Sequence, residues 1–177
     1  MTDVKQITHQ LAIEAAHRMM TAALTAPKGK GVDDVVCALA DGEELETLAA
    51  EMVRLANGNP NASFVRDAGN IRASECVVLV GCRRKVLGLN CGHCGFATCG
   101  QKPEGVPCVF NTVDLGIAVG SACSVAADSR IDSRVMFTAG LAAMSLGWLD
   151  GASPIFALPI SITAKSPFFD RQLKIEN

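Results

Sequence analysis

Four cysteines within eighteen residues constrain this chain more than any other feature of its sequence. Their spacing is C-x2-C-x4-C-x8-C, at Cys91, Cys94, Cys99 and Cys108. Thiolates are the usual protein ligands of iron–sulfur clusters and of structural zinc, and both centres need four ligands that converge. Gly92 and Gly95 can adopt the backbone angles that a tight wrapping loop demands. We therefore predict a cysteine-rich loop, residues 82–110, that holds one metal centre.

Two kinds of metal centre remain open for this loop. Zinc sites usually pair two C-x2-C knuckles, or combine one knuckle with two histidines, whereas this loop has a single knuckle. His93 lies inside that knuckle, where its side chain is poorly placed to bind the same metal. Iron–sulfur spacings vary more, and one C-x2-C pair with two later cysteines suits a [4Fe-4S] cubane. The spacing favours the cluster over zinc, and thiols without a metal are the third alternative.

Residues beside the loop suggest two further hypotheses. A thiolate-bound cluster carries net negative charge, which nearby basic residues would offset; these are Arg83, Arg84, Lys85 and Lys102. A solvated surface run explains the same four residues equally well. Cys82 follows a predicted strand and is the one extra cysteine that could join the site, as a fifth ligand, a replacement ligand or a redox partner. Cys37, Cys76 and Cys123 lie in apolar stretches, where we expect core packing.

The composition limits the classes of protein to which this chain can belong. At 177 residues the chain has the size of one domain, and we predict a single domain over residues 1–177. The net charge of −2 and the lack of a basic stripe with aromatic residues argue against a nucleic-acid partner. Neither a secretory signal nor a convincing membrane span is evident. We expect a cytoplasmic protein whose cysteines serve metal or redox chemistry rather than disulfides.

Apolar patterns predict helices and buried strands in alternation, which indicates an α+β or α/β sandwich. The predicted helices cover residues 3–26, 41–57, 62–68, 114–127 and 133–146, and the predicted strands cover residues 35–39, 76–81 and 155–158. Pro159 would cut the third strand short or place it at an edge of the sheet. We expect the polar tail, residues 165–177, to be extended.

The cysteine loop resembles a known [4Fe-4S] domain. Its letters CGHCGFATC are similar to the C-G-x-C-G-x-x-x-C signature found in one component of an electron-transport complex and in corrinoid iron–sulfur proteins, with a shorter gap to the last cysteine. Nearly the whole chain resembles a family of prokaryotic ferredoxin-domain-containing proteins of unknown function, through the loop and residues 25–33, 110–122 and 164–171. This resemblance implies a [4Fe-4S] cluster on Cys91, Cys94, Cys99 and Cys108, and no settled reaction.

A second resemblance is to the flavin-dependent nitroreductases, through residues 22–48 and 114–159. It implies a nitroreductase-like α+β helix/sheet sandwich, into which the iron–sulfur loop is inserted, and a homodimer with FMN at the subunit interface. An arginine-rich phosphate-binding segment that precedes the first helix in that family has no counterpart in this sequence. FMN binding would therefore require substitutes for it, which we predict to be Lys28, Lys30, Lys165 and Arg171.

Two hypotheses about function follow. In the first, the chain is a redox protein that passes single electrons through one [4Fe-4S] cluster to a flavin, a small-molecule acceptor or a redox partner protein. It would then be an oxidoreductase, although the sequence identifies no catalytic residue. In the second, the chain is a non-catalytic sensor or binding protein in which zinc or a cluster is structural.

Overall fold

The structure is a computed structural model, and it describes residues 1–57 and 63–169. Within these ranges the helices and strands follow one another along the chain as α1 (Thr8–Thr25), β1 (Val35–Ala40), α2 (Glu43–Ala56), α3 (Ser63–Arg72), β2 (Cys76–Arg83), α4 (Val109–Asp128), β3 (Asp132–Ser133), α5 (Phe137–Ser145) and β4 (Ala152–Ser161). Short 3-10 turns are found at Val4–Gln6, Gly29–Gly31 and Cys99–Gln101.

Helices cover both faces of one antiparallel sheet, whose strand order is β1-β2-β4-β3. Successive side chains of a strand point to opposite faces, and β2 is buried on both. Val77 and Leu79 pack against α2, α3 and α5, whereas Val78 and Val80 pack against α1 and α4. The predicted α+β sandwich is confirmed, with two apolar cores separated by the sheet.

The predicted helices are largely confirmed, with different ends. The helix predicted over residues 3–26 is the Val4–Gln6 turn followed by α1. The helix predicted from residue 114 begins five residues earlier, at Val109. The prediction of a helical residue 133 is wrong: this residue belongs to β3, and α5 begins only at Phe137. The predicted helix at 62–68 is α3, although residue 62 lies outside the described residues, as do residues 170–177 of the predicted tail.

The prediction for Pro159 is wrong. β4 continues through Pro159 to Ser161 and lies inside the sheet, between β2 and β3. On the β3 side, pairing stops after Ser133 and resumes only as a single bridge between Met136 and Ala157. Proline cannot donate a ladder hydrogen bond. An interior position is tolerated here because the ladder on the β3 side is interrupted opposite Pro159.

α4 is the element that follows the cysteine loop, and it lies on the α1 side of the sheet. Its Leu115, Ala118 and Ala122 are buried in the core shared with α1, and Ser121 Oγ donates a hydrogen bond of 2.9 Å to the carbonyl oxygen of Ala22. Within residues 1–57 and 63–169, α4 alone is long and apolar enough to cross a membrane by length and composition. The core helix of a globular protein passes the same test.

Candidate metal centre

The four predicted ligands line one cavity between the end of β2 and the start of α4. Cys91, Cys94, Cys99 and Cys108 all contribute to its wall, and the remaining wall is mostly apolar, with Leu87, Leu89, Phe96 and Phe110 among its residues. The cavity is tight, with a volume of about 10 Å³. All four cysteines are free thiols. The four cysteines that are close together in the sequence therefore share one site in the fold. Their assignment to a metal stays a prediction.

The donor set of the cavity is four thiols, which suits either a cluster or a single zinc ion. Tetrahedral zinc binds sulfur at about 2.3 Å, so its four thiolates stand only about 3.8 Å apart. No three His, Cys, Asp or Glu side chains in the described part of the chain are close enough together to hold a metal ion. A cubane needs a wider thiolate cage, because each cysteine binds a different iron. Which of the two centres the four thiols of this cavity would hold stays a prediction.

The backbone of the loop turns sharply at its glycines, as predicted. Gly92 and Gly95 have φ angles of +73° and +87°, and Gly95 N donates a hydrogen bond of 2.9 Å to the carbonyl oxygen of Gly92. Such left-handed angles are strained for residues with a side chain. The turn allows Cys91 and Cys94 to line the same cavity.

Asn90 ties the first arm of the loop to the third cysteine. Its backbone N–H donates to Cys99 Sγ at 3.3 Å, and its side-chain Oδ1 accepts from the backbone N–H of Cys99 at 2.8 Å. Asn90 has a φ of +49°, which asparagine tolerates better than most residues. An N–H bond to a ligand sulfur also withdraws charge from it, which tunes a cluster electronically. The sequence pattern did not identify this residue, whose only signal was its place directly before Cys91.

The fourth cysteine stands at the beginning of a long helix. Cys108 is the N-cap residue of α4 and is buried. The N-terminus of a helix carries a partial positive charge, which stabilises a thiolate or a negatively charged cluster. Because α4 packs firmly into the core, it also fixes the position of this ligand.

The basic loop at residues 28–31 lies against the cysteine loop. Lys30 Nζ donates to the carbonyl oxygen of Leu87 at 3.2 Å. The backbone N–H of Gly29 donates to both carboxylate oxygens of the buried Asp114, at 3.0 and 3.1 Å. A Cβ atom on Gly29 would lie 2.8 Å from Leu87 Cδ1 and 3.2 Å from Phe110 Cδ1. This loop therefore supports the wall of the cysteine cavity, a role that nothing in the sequence pattern indicated.

Lys28 caps the end of α1. Its side chain is only 5% exposed, and Nζ donates to the carbonyl oxygens of Ala23, Leu24 and Ala26. These carbonyls lack partners within the helix, so a lysine there satisfies them. Lys28 Nζ also lies 3.5 Å from Asp33 Oδ1.

Two of the four predicted FMN contacts, Lys28 and Lys30, lie in the loop that follows α1. Lys28 and Lys30 are occupied as described above, and Lys165 is exposed in the segment after β4. Arg171 lies outside the described residues. The role of all four in FMN binding stays a prediction.

Cys82 does not line the cavity of the four cysteines. It is 1% exposed at the end of β2, within the core on the α1 and α4 side. Burial raises the pKa of its thiol to about 11, and the negative charges of Asp34 and Asp114 act in the same direction. A thiol with such a pKa stays protonated near neutral pH and is a poor ligand. Its suggested role as an extra ligand stays a prediction.

The predicted basic run separates into residues with different surroundings. Lys102 lines the cysteine cavity, and its Nζ donates to the carbonyl oxygens of Pro103 and Val106. Lys85 Nζ lies 3.1 Å from Asp34 Oδ1, and Arg84 donates to Ser153 Oγ at 2.6 Å. Arg83 is exposed and lines a different surface groove. Lys102 is thus the one member of the run that contacts the cavity of the four cysteines.

A helix/sheet sandwich of nitroreductase-like fold that carries a four-cysteine loop is the class of protein that these features define. Solved structures with this fold include a nitroreductase-like family protein from Bacillus cereus, with a TM-score of 0.61 and 12% identity over 90% of this chain and 79% of that chain. A nitroreductase with bound FMN from Bacteroides fragilis gives a TM-score of 0.59 and 12% identity over 85% and 77%. Another with bound FMN, from Desulfitobacterium hafniense, gives 0.56 and 19% over 93% and 86%. At these identities the likeness shows the fold alone.

The chain belongs to the family described as uncharacterized proteins containing a ferredoxin domain (DUF2148), as the resemblance of its sequence predicted. The family match covers residues 104–171, a segment that includes Cys108 and reaches beyond β4. An uncharacterized protein from Archaeoglobus fulgidus is 41% identical over 170 residues, which is 90% of this chain and 91% of the relative.

Proposed function

We propose that this chain is an iron–sulfur redox protein that binds one [4Fe-4S] cluster on Cys91, Cys94, Cys99 and Cys108. The observation that carries the proposal is that four thiols separated along the chain line a single, mostly apolar cavity. The ferredoxin-domain family and the nitroreductase-like fold both support a redox role. When bound, such a cluster supplies one-electron transfer.

The residues around the cavity have separate tasks in this proposal. The four thiolates hold the cluster, and the start of α4 stabilises the negative charge at Cys108. The backbone N–H of Asn90 donates to Cys99 Sγ, which raises the reduction potential. Lys102 places a positive charge at the cavity wall. The apolar wall excludes water, and the extent to which water reaches a cluster also affects its reduction potential.

The acceptor of the electron is a small molecule or a partner protein, and FMN is a candidate because two neighbours of this fold contain it. Lys28 Nζ already donates to three carbonyl oxygens, so it has no proton left for a phosphate. Lys30, Lys165 and Arg171 are the remaining predicted phosphate contacts. Titration of the purified chain with FMN, followed by flavin fluorescence, tests whether FMN binds. Fluorescence that is not quenched would reject FMN as the acceptor.

The central test is anaerobic purification followed by iron, sulfide and zinc analysis and by EPR of the dithionite-reduced protein. We expect about four irons and four sulfides per chain, which is the composition of a [4Fe-4S] cluster. One zinc per chain without iron would reject the cluster and favour the alternative, in which the metal of a sensor or binding protein is structural.

Two matched variants assign the ligands. Cys99→Ala removes a thiol that lines the cavity, and we expect it to lose most of the iron. Cys82→Ala removes a buried thiol that does not line the cavity, and we expect it to retain the iron content and EPR signal of the parent. Equal iron loss in both variants would contradict the assignment and point to Cys82 as a ligand.

A further inference from the structure

A second cavity adjoins the cysteine cavity. It has a volume of about 200 Å³ and shares Val86, Lys102 and Cys108 with the cavity of the four cysteines. Cys108 therefore presents one side to the metal centre and another to this neighbouring space. We call it the basic cavity because of the side chains that line it.

The lining of the basic cavity is predominantly cationic. Arg84, Lys85 and Lys102 face a single carboxylate among its lining residues, that of Glu104. Lys85 is paired with Asp34, and Lys102 donates to two loop carbonyl oxygens. An arginine has five N–H donors in a planar fork that suits oxyanions. Within the described residues, Arg84 donates only to Ser153 Oγ, so most of its donors remain for a ligand.

Asn111 supplies an independent indication of a ligand. It lies in the first turn of α4, is 2% exposed and lines the basic cavity. Its side-chain Oδ1 is buried and has no hydrogen-bond partner among the described residues. A buried acceptor without a donor is unfavourable, and the large majority of such groups are satisfied. The amide of Asn111 therefore needs a donor such as a hydroxyl group.

We propose that the basic cavity binds a small oxyanion that also carries a hydroxyl group. Its oxygens accept hydrogen bonds from Arg84, and its hydroxyl donates to Oδ1 of Asn111. Hydrogen phosphate and a short hydroxycarboxylate share this chemistry. Because Cys108 lines the same cavity, the bound anion lies next to a ligand of the proposed cluster. Its role as acceptor or regulator of that cluster rests on the proposed function, whereas binding itself does not.

Isothermal titration calorimetry of the full chain tests the proposal with two pairs of anions at pH 7 and constant ionic strength. Phosphate carries a hydroxyl at this pH and sulfate does not; glycolate carries one and acetate does not. We expect phosphate to bind at least tenfold more tightly than sulfate, or glycolate at least tenfold more tightly than acetate. The pair with the larger difference shows whether the natural ligand is a phosphate or a hydroxycarboxylate. An absence of binding, or equal binding of all four anions, would overturn the proposal.

A pair of neighbouring arginines provides the matched variants. Arg84→Gln removes the side chain that we propose to bind the anion, and we expect the affinity for the preferred anion to fall about ten- to hundredfold. Arg83→Gln removes an equal charge from an exposed residue that does not line the basic cavity, and we expect it to bind as the parent does. An equal loss in both variants would show general charge attraction and reject the site.

The same samples separate this proposal from the proposed function. Iron and sulfide analysis reports on the cluster, and calorimetry reports on the anion. Iron without anion binding rejects the basic cavity alone, whereas anion binding without iron rejects the cluster alone. When both are present, we expect the preferred anion to lower the reduction potential, because added negative charge disfavours the reduced cluster. A potential that does not change would contradict binding next to Cys108.

Discussion

Asn90 is the residue that joins the two arms of the cysteine loop, since its side chain holds the backbone of Cys99. We predict that Asn90→Gly will release iron to a chelator about fivefold faster than the parent. Glycine accommodates the φ of +49° without strain, so the change isolates the lost hydrogen bond, which is worth about 1 kcal/mol. The measurement is the rate of iron transfer to a coloured chelator under anaerobic conditions.

Asn90→Asp provides the control, because its carboxylate keeps an acceptor for the Cys99 N–H. We expect this variant to retain iron as the parent does and to have a lower reduction potential, since it adds a negative charge beside the cysteine cavity. Iron release from Asn90→Gly at the parent rate would show that the side-chain bond does not stabilise the loop.

For single residues, the sequence predicts which chemistry a side chain can perform better than it predicts which contact the side chain makes in the fold. The four cysteines could be assigned to one site because the short spacing restricts where they can lie. Lys28 could not be assigned, because a lysine beside a helix end is equally suited to a phosphate and to free carbonyl oxygens. The decision depends on where α1 ends relative to that side chain. Asn111 and Asp114 gave no signal, since their roles arise from contacts across the fold.

The loop at residues 28–31 is the first element whose role can be tested. We predict that Lys30→Met will release iron severalfold faster than the parent. Methionine keeps an apolar stem and loses the hydrogen bond to the Leu87 carbonyl oxygen. Lys5→Met, in the N-terminal turn, removes the same charge elsewhere and should match the parent. Weaker FMN binding with unchanged iron release would instead support the predicted phosphate contact.

The packing of α5 on β4 depends on one glycine. A Cβ atom on Gly140 would lie 1.8 Å from the carbonyl oxygen of Ile155, so the helix and strand backbones touch there. We predict that Gly140→Ala lowers the free energy of unfolding by about 1–3 kcal/mol, because the elements must separate. The measurement is the urea midpoint.

Gly69→Ala in α3 is the matched control, since a Cβ atom there meets nothing within 4 Å. We expect it to be neutral or to stabilise by up to about 1 kcal/mol through helix propensity. A Gly140→Ala variant as stable as the parent would contradict the close packing of α5 on β4.

Element boundaries were less predictable than element types. The apolar run around residues 155–158 identified a strand, but Pro159 suggested an edge, because the interruption of β3 opposite it is not visible in the sequence. Similarly, the apolar rhythm of α4 is evident only from residue 114. The preceding turn, from Val109, contains exposed and polar positions, and its helical state follows from the buried Cys108 and Asn111.

At the scale of the whole molecule, four thiols outside the cysteine loop pack among apolar groups of the sandwich, those of Cys37, Cys76, Cys82 and Cys123. Burial raises the pKa of Cys37 to about 11, of Cys76 to about 12 and of Cys82 to about 11, against an ordinary value of 9.0. The charged thiolate is disfavoured in the apolar core, so the folded chain keeps these protons to a higher pH than the unfolded chain. The stability of the fold is therefore linked to alkaline pH.

The direction of this pH dependence follows from how many thiol protons the folded and the unfolded chain hold at each pH. Well below pH 9 both states hold these thiol protons, and the stabilisation is complete. From about pH 9 to about pH 12 the unfolded chain has lost protons that the folded chain still holds, so the free energy of unfolding falls as pH rises. Each thiol contributes at most about 1.4 kcal/mol per pH unit, an upper limit that solvent screening reduces.

We predict that the urea midpoint of the parent decreases between pH 8 and pH 10.5, and that Cys76→Ala decreases less over the same range. The variant starts from a lower stability, because it loses buried volume, but it no longer carries the thiol with the highest of the three pKa values. Equilibrium urea unfolding of both chains at several pH values gives the comparison. Parallel curves for the two chains would show that Cys76 does not titrate on unfolding, and would contradict its share in the alkaline sensitivity.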